Sequence, residues 1–221
     1  VNYRFTNRTG GLSTGAFHSL NLALHVDDDP TVVAKNRQIL EKDLAMPVVY
    51  MNQVHGNALS KVDLRPEIAP TADALITRRK GLALAVMVAD CIPLLMAHSS
   101  AVAAVHVGRR GLVNGVALET LTALRAIDSS PITAVVGPSI CGSCYEVSED
   151  IFSEVVDLHP AAASRTAEGT RALDLVQALI QVLRAESVTV IDESRCTAED
   201  PTLYSYRRDG VTGRQAGVIW L

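Results

Sequence analysis

Short apolar runs and alternating apolar and polar positions predict β-strands over residues 2–6, 48–51, 58–63, 74–77, 82–89, 94–98, 101–107, 132–137, 187–192 and 215–220. A helical repeat replaces this pattern elsewhere. Over 31–44 it carries Val32, Val33, Ile39, Leu40 and Leu44, with Asp29 ahead of Pro30 as a fitting cap. Over 112–127 it carries Val113, Val116, Leu121 and Leu124. Over 148–158, Ile151, Phe152, Val155 and Val156 share one face behind Ser148 as N-cap, and over 173–186 Val176, Leu179, Ile180 and Leu183 do the same. The strands between 74 and 107 follow one another without an intervening helix, which excludes a strictly alternating parallel architecture. Together with the length of 221 residues it also counts against a (β/α)₈ barrel. Consecutive strands flanked by helices read as an α+β fold, one domain over residues 1–221. The stretch 160–169, rich in Ala, Ser and Thr, is the segment expected to be most mobile.

Composition changes this picture little. Apolar residues at 48% and charged residues at 20% supply a sizeable core, and a net charge of -4 argues against a nucleic-acid or anionic-membrane surface. The longest apolar run, 82–89, is far too short to cross a bilayer. The opening Val-Asn-Tyr-Arg-Phe has neither the basic start nor the apolar stretch of a signal peptide, and Val1 is not expected to be the biological start. Four cysteines do not make a disulfide framework, so the cytoplasm is the expected compartment.

Candidate chemistry centres on His55 in Asn-Gln-Val-His-Gly, Cys91 in Ala-Asp-Cys-Ile-Pro and His106 in Ala-Val-His-Val-Gly. Each lies at the end of an apolar run or beside a glycine, where strands end and side chains can converge. Two imidazoles and a thiolate suit zinc, and three protein ligands leave the fourth tetrahedral position open, as catalytic sites do. The alternative is two core histidines and a buried cysteine that merely lie near strand ends. After His106, Gly108-Arg109-Arg110-Gly111 leads from a strand into a helix. This is either an anion site built from glycine backbone, a helix N-terminus and arginine, or a tight turn with solvated arginines. Asn7-Arg8-Thr9-Gly10-Gly11 reads first as a plain turn. Cys141-Gly-Ser-Cys144 reads as two loop cysteines, because a structural zinc site needs two more ligands and Cys196 could be only one of them. Asp73 and Asp90 are carboxylates in apolar surroundings and therefore need partners. Asp90 is read either as orienting a neighbouring loop or as a structural hydrogen-bonding group. His18, His25, His98 and His159 receive no role.

Taken in order, further segments carry a resemblance. They are Asn7–Gly11, Ser19-Leu20-Asn21-Leu22, His25-Val26-Asp27-Asp28-Asp29-Pro30, Asn36-Arg37, Gln53-Val54-His55-Gly56, Ala72-Asp73-Ala74-Leu75 and Ala89-Asp90-Cys91-Ile92-Pro93. Ala104-Val105-His106, Gly137-Pro138-Ser139-Ile140, Tyr145-Glu146-Val147, Ser205-Tyr206-Arg207-Arg208 and Thr212-Gly213-Arg214 complete the set. Nearly end to end, the chain resembles the YfiH-like family, also called the laccase-domain or polyphenol oxidase family. The resemblance implies a layered α/β/β/α mixed fold and a zinc ion on His55, Cys91 and His106. It also implies enzymes that phosphorolyse purine nucleosides, including methylthioadenosine, and deaminate adenosine. One departure stands out. Where the family commonly has Ala-Gly-Trp-Arg-Gly, this chain has Val107-Gly108-Arg109-Arg110-Gly111, so Arg109 replaces a tryptophan that could stack on a base.

On this basis the chain is expected to be a zinc enzyme, a phosphorylase with deaminase activity, whose partners are a purine nucleoside and phosphate rather than nucleic acid or membrane. Asp90, Cys91 and Arg110 are its candidate catalytic residues, with Arg8, Gly108, Arg110 and Gly111 around the phosphate. Asp90, Asp73 and Glu146, in that order, are candidates for handling protons. Two alternatives use the same residues. A copper-dependent polyphenol oxidase fits poorly, because six histidines include no His-x-His pair, although a single copper would suit the same ligands. A metal-free hydrolase, with peptidoglycan precursors among its candidate substrates, would use Cys91 as nucleophile and His106 or His55 as base.

Overall fold

The computed structural model describes residues 2–221. A four-stranded sheet runs in the order β1 (Asn2–Phe5), β12 (Gln215–Trp220), β5 (Ala83–Val88), β2 (Val48–Val49). A six-stranded sheet runs β11 (Thr189–Asp192), β8 (Thr133–Val136), β6 (Ile92–His98), β7 (Ala101–Val107), β4 (Ala74–Thr77), β3 (Leu59–Lys61). Both are mixed. In the second, β3–β4 and β8–β11 are parallel, while β4–β7, β6–β7 and β6–β8 are antiparallel.

The unbroken apolar character of 82–89 and 101–107 follows from burial on both strand faces, with successive residues feeding different cores. In β5, Leu84, Val86 and Val88 face the second sheet together with Leu95, Ala97, Val102 and Ala104. Ala83, Ala85 and Met87 face the other way, onto Leu40 and Leu44 of α1 (Pro30–Leu44). On the outer face of the six-stranded sheet, Leu94, Met96, Ala103, Val105 and Val107 pack against α3 (Val116–Arg125) and α5 (Leu175–Ala185). The result is the helix–sheet–sheet–helix layering the resemblance implies. Asp29 caps α1 by accepting from the Thr31 N–H at 2.8 Å.

Three expectations change. The helix over 112–127 is two helices, α2 (Arg109–Val113) and α3, separated at Asn114–Gly115, where Gly115 takes a left-handed φ of 75°. The stretch 160–169 carries regular structure: a turn of 3₁₀-helix leads into a hairpin of β9 (Ala163–Arg165) with β10 (Arg171–Leu173). Leu173 therefore belongs to a strand. Asp174 caps the next helix, accepting from the Gln177 N–H, so α5 starts at Leu175. Ahead of it, α4 (Glu149–Leu158) starts behind Ser148 as read, although the Ser148 hydroxyl makes no capping bond.

Candidate metal centre

Residues 89–91 carry the chain from β5 in one sheet to β6 in the other, and Asp90 adopts φ 98° to make the crossing. Cys91 consequently lies at the inter-sheet edge of the sandwich. On β7, Val102 and Ala104 face the inter-sheet core. His106, in step with them, points the same way and is 3% exposed. His55 enters from the loop between β2 and β3 with φ 60°. Ligand atoms of His55, Cys91 and His106 all lie within 4.8 Å of one another. The Cys91 Sγ to His55 Nε2 distance is 3.9 Å, and the two imidazole rings stand edge to face with centroids 4.6 Å apart.

One carboxylate organises this group. Asp73, fully buried just ahead of β4, accepts from the backbone N–H groups of Val54 (3.3 Å), His55 (2.9 Å) and Gly56 (2.7 Å). It also accepts from His106 Nδ1 at 2.8 Å. A carboxylate only accepts, so Nδ1 carries the hydrogen and the Nε2 lone pair is left for the centre. Gln53 ties the same loop to β5 by donating to the Met87 carbonyl and accepting from the Met87 N–H, both at 2.8 Å. Gly108 closes the floor, because a Cβ there would stand 3.0 Å from Cys91 Sγ and 3.1 Å from His55 Cδ2. The donor set therefore fits a borderline-soft divalent ion with an open position.

Charge couples the residues. Burial raises the Cys91 thiol, but the charge and hydrogen bonds of His106 and His55 outweigh it and bring Cys91 down to about 6. Burial lowers His106, but the Cys91 thiolate and Asp73 carboxylate drive it up to about 9. Burial opposes ionisation of Asp73 too, yet the bonds from His106, Gly56 and His55 hold its carboxyl below the usual range.

The cluster opens into a cavity of about 490 Å³ whose wall includes Arg109, Arg207, Arg214, Tyr145, Tyr206 and His25. Asp90 also lines it and pins the rim: one oxygen accepts from Thr197 Oγ1, the other from the Arg207 N–H, both at 2.6 Å. Arg207 donates to the Glu146 carbonyl at 2.9 Å and lies over the Tyr145 ring at 5.1 Å. Arg214 is held by the carbonyls of Thr212 and Gly213, and Arg109 donates to Glu154 at 2.6 Å. Burial, reinforced by Arg214 and Arg37, lowers the His25 imidazole.

The residues expected around phosphate divide. Gly108 touches the cluster. Gly111 packs on the His106 carbonyl and Val116. Arg110 is exposed and does not line the cavity, whereas Arg109 does. The helix starts at Arg109, and consecutive residues on a helix diverge by about 100°. Arg8 also lies off the cavity wall, donating to the His18 carbonyl and stacking over Tyr204. Both Asp73 oxygens are already occupied in the interior, and Glu146 is exposed, so neither is placed to move a proton in the cavity. Sequence reasoning gave His25 no role and Arg207 and Arg214 none beyond the resemblance. Their signal was present in the His25–Pro30, Ser205–Arg208 and Thr212–Arg214 segments.

Fold and site together define a class: a layered mixed α/β protein with a His–Cys–His donor cluster at the edge between its sheets. The family described as multi-copper polyphenol oxidoreductase laccase matches residues 2–221. The chain belongs to this family, the YfiH-like proteins. A Corynebacterium glutamicum protein named purine nucleoside phosphorylase is 42% identical over 228 residues, 98% of this chain and 93% of the relative. A Streptomyces coelicolor protein of the same name is 43% identical over 235 residues, covering 100% of this chain and 96% of the relative. Among solved structures, a Neisseria meningitidis protein superposes with a TM-score of 0.91 at 38% identity, covering 99% of this chain and 93% of that one. YlmD from Geobacillus stearothermophilus superposes at 0.90 with 33% identity, covering 98% and 90%.

Proposed function

We propose that the chain is a zinc-dependent purine nucleoside phosphorylase that acts on adenosine, inosine or methylthioadenosine, deaminates adenosine as well, and works in the cytoplasm. The observation that carries this reading is the three-donor cluster opening into a cavity rimmed by three arginines. The shared name of the relatives supports the substrate class.

A divalent ion on His55, Cys91 and His106 would supply Lewis acidity and positive charge at the cavity floor. The remaining work falls to the chain's own side chains. Arg109, Arg207 and Arg214 offer guanidinium forks to a phosphate, the role first given to Arg110 and Arg8. Tyr145, backed by Arg207, and Tyr206 offer aromatic faces to the base. In phosphorolysis a phosphate oxygen bonds to the ribose C1′ while the bond from C1′ to the purine nitrogen breaks, and the departing base takes up a proton. In deamination water adds at the amino-bearing carbon and ammonia leaves. His25, neutral at pH 7 because its imidazole is lowered, is the cavity group suited to exchange these protons. Asp90 positions Arg207, with one oxygen taken by the Thr197 hydroxyl and the other by the Arg207 N–H.

The donor set favours zinc over multi-copper oxidation, because the histidines lining the cavity are only His25, His55 and His106. The test is elemental mass spectrometry on wild type and Cys91→Ala, with chromatography of adenosine, inosine and methylthioadenosine incubated with and without phosphate. Zinc and phosphate-dependent release of free base in the wild type are expected, with about one zinc fewer per chain and no release of base in the variant. Copper as the bound metal, or nucleosides left intact while Cys91 reacts freely with an alkylating agent, would overturn the reading.

A further inference from the structure

From a second side-chain cluster we infer that the chain carries another metal centre, a closed zinc site on Cys141, Cys144, Cys196 and Glu199. Their ligand atoms all lie within 4.8 Å of one another, and none of the three cysteines is in a disulfide. Cys141 and Cys144 come from one turn, in which the Cys144 and Tyr145 N–H groups both donate to the Cys141 carbonyl at 3.1 Å. Cys196 and Glu199 come from the loop after β11. The isolated bridge between Ser139 and Cys196 holds the two segments side by side, with Ser139 N–H donating to Arg195 and Thr197 N–H to Ser139. The sequence showed a Cys-x-x-Cys pair short of two ligands; the fold supplies Cys196 from the far segment and Glu199 one turn beyond it.

The geometry suits zinc. Metal–sulfur bonds of about 2.3 Å in a tetrahedron put sulfur atoms about 3.8 Å apart and a sulfur about 3.6 Å from a carboxylate oxygen. Cys144 Sγ and Glu199 Oε1 already stand 3.4 Å apart, and Cys196 Sγ accepts from the Cys141 N–H at 3.4 Å, as metal thiolates commonly do. Thiolates are soft donors, which selects zinc over magnesium or calcium. Three thiolates and a carboxylate on a divalent ion leave net negative charge. Two guanidinium groups adjoin the loop, each already paired with a carboxylate: Arg195, next to Cys196 in sequence, with Asp200, and Arg208, from the short helix Tyr206–Asp209, with Asp209 while it donates to the carbonyls of Thr197, Ala198 and Asp200. Four protein donors leave no open position, so this centre is structural where the His–Cys–His cluster is open.

The clamp adjoins the cavity wall on both sides. Cys144 precedes Tyr145, and Cys196 precedes Thr197, whose hydroxyl holds Asp90. The inference does not depend on the proposed activity. Its test is metal content of the full chain purified under reducing conditions without chelator, for wild type, Cys91→Ala and Cys141→Ser. About two zinc ions per chain in wild type and about one in each variant are expected. Cobalt(II) titration of metal-free wild type needs no variant to fold: thiolate-to-metal absorption should keep growing past the first equivalent, since all four cysteines ligate. One zinc per chain in wild type that Cys91→Ala loses and Cys141→Ser keeps, with cobalt absorption saturating at one equivalent, would overturn the second centre. So would a disulfide among Cys141, Cys144 and Cys196 in the reduced preparation.

Discussion

Replacing Asp73 by Asn tests the idea that one buried carboxylate sets the metal centre. The side chains are nearly isosteric, so packing is preserved and the change is one of charge and acceptor count. Oδ1 accepts from His55 N–H and His106 Nδ1, and Oδ2 from Val54 and Gly56 N–H. Asparagine keeps one acceptor oxygen and turns an NH₂ toward the other pair, so either orientation strands two donors. A hydrogen bond to a charged partner contributes about 1.5–3 kcal/mol, which puts the loss at roughly 3–6 kcal/mol. The lower end is expected, because water reaches the exposed His55 loop. With about 2–4 °C per kcal/mol for a domain of this size, the melting temperature should fall by at least ~6 °C. Loss of the group that orients His106 should also weaken zinc binding about 10–100-fold. Calorimetry on metal-free protein and competition with a chromogenic chelator read the two effects separately. The pH dependence has a definite sign. Asp73 is depressed in the fold, so its stabilisation is present above the unfolded carboxyl value of about 3.9 and disappears as pH falls through the folded value. The gap between wild type and variant should therefore narrow in acid. An unchanged melting temperature together with unchanged zinc affinity would refute the argument.

Other perturbations isolate other parts. In chelated protein, alkylation of Cys91 should rise with pH with a midpoint near the value of about 6, measured by mass spectrometry of the Cys91 peptide; a midpoint near 8.5 would deny the pairing with His106. Gly108→Ala, at a φ of -85° that alanine accepts, pushes a methyl against Cys91 and His55, so zinc affinity should drop about tenfold or more while the metal-free fold loses only about 1 kcal/mol. Arg109→Ala should raise the KM for phosphate severalfold with melting shifted by less than about 1 kcal/mol, because its ion pair with Glu154 is half-exposed. His25→Asn should lower kcat by about 100-fold or more at unchanged zinc content, read by steady-state kinetics on metal-assayed samples.

The strands and α1 were legible because their signals are local: alternation, continuous apolar runs, and Asp29 before Pro30. The break at Gly115 was less so, since a glycine inside an apolar helical repeat reads the same whether the helix continues or turns. Leu173, the last residue of β10, reads as the start of a helix because it fits both periods, and only its pairing with Ala163 decides. For the site, His55, Cys91 and His106 could be named because softness and ligand number are properties of residue types. The contrast between Arg109 and Arg110 could not, since it depends on where a five-residue helix begins. The cavity arginines and the Glu199 partner of the cysteines come from segments that only the tertiary fold brings together.

The crossing of the chain between sheets also has a mechanical side. Cys91 and His106 are rooted in the six-stranded sheet, whereas His55 rides on a loop that Gln53 fastens to the four-stranded one. A metal on these donors is thus a cross-link between the two halves of the sandwich, closing a loop of 36 residues from His55 to Cys91. By the loop-entropy argument used for disulfides, such a closure restricts the unfolded chain by roughly 4 kcal/mol. Metal occupancy and resistance to unfolding should therefore rise and fall together, so that starving the protein of metal should make the sandwich softer.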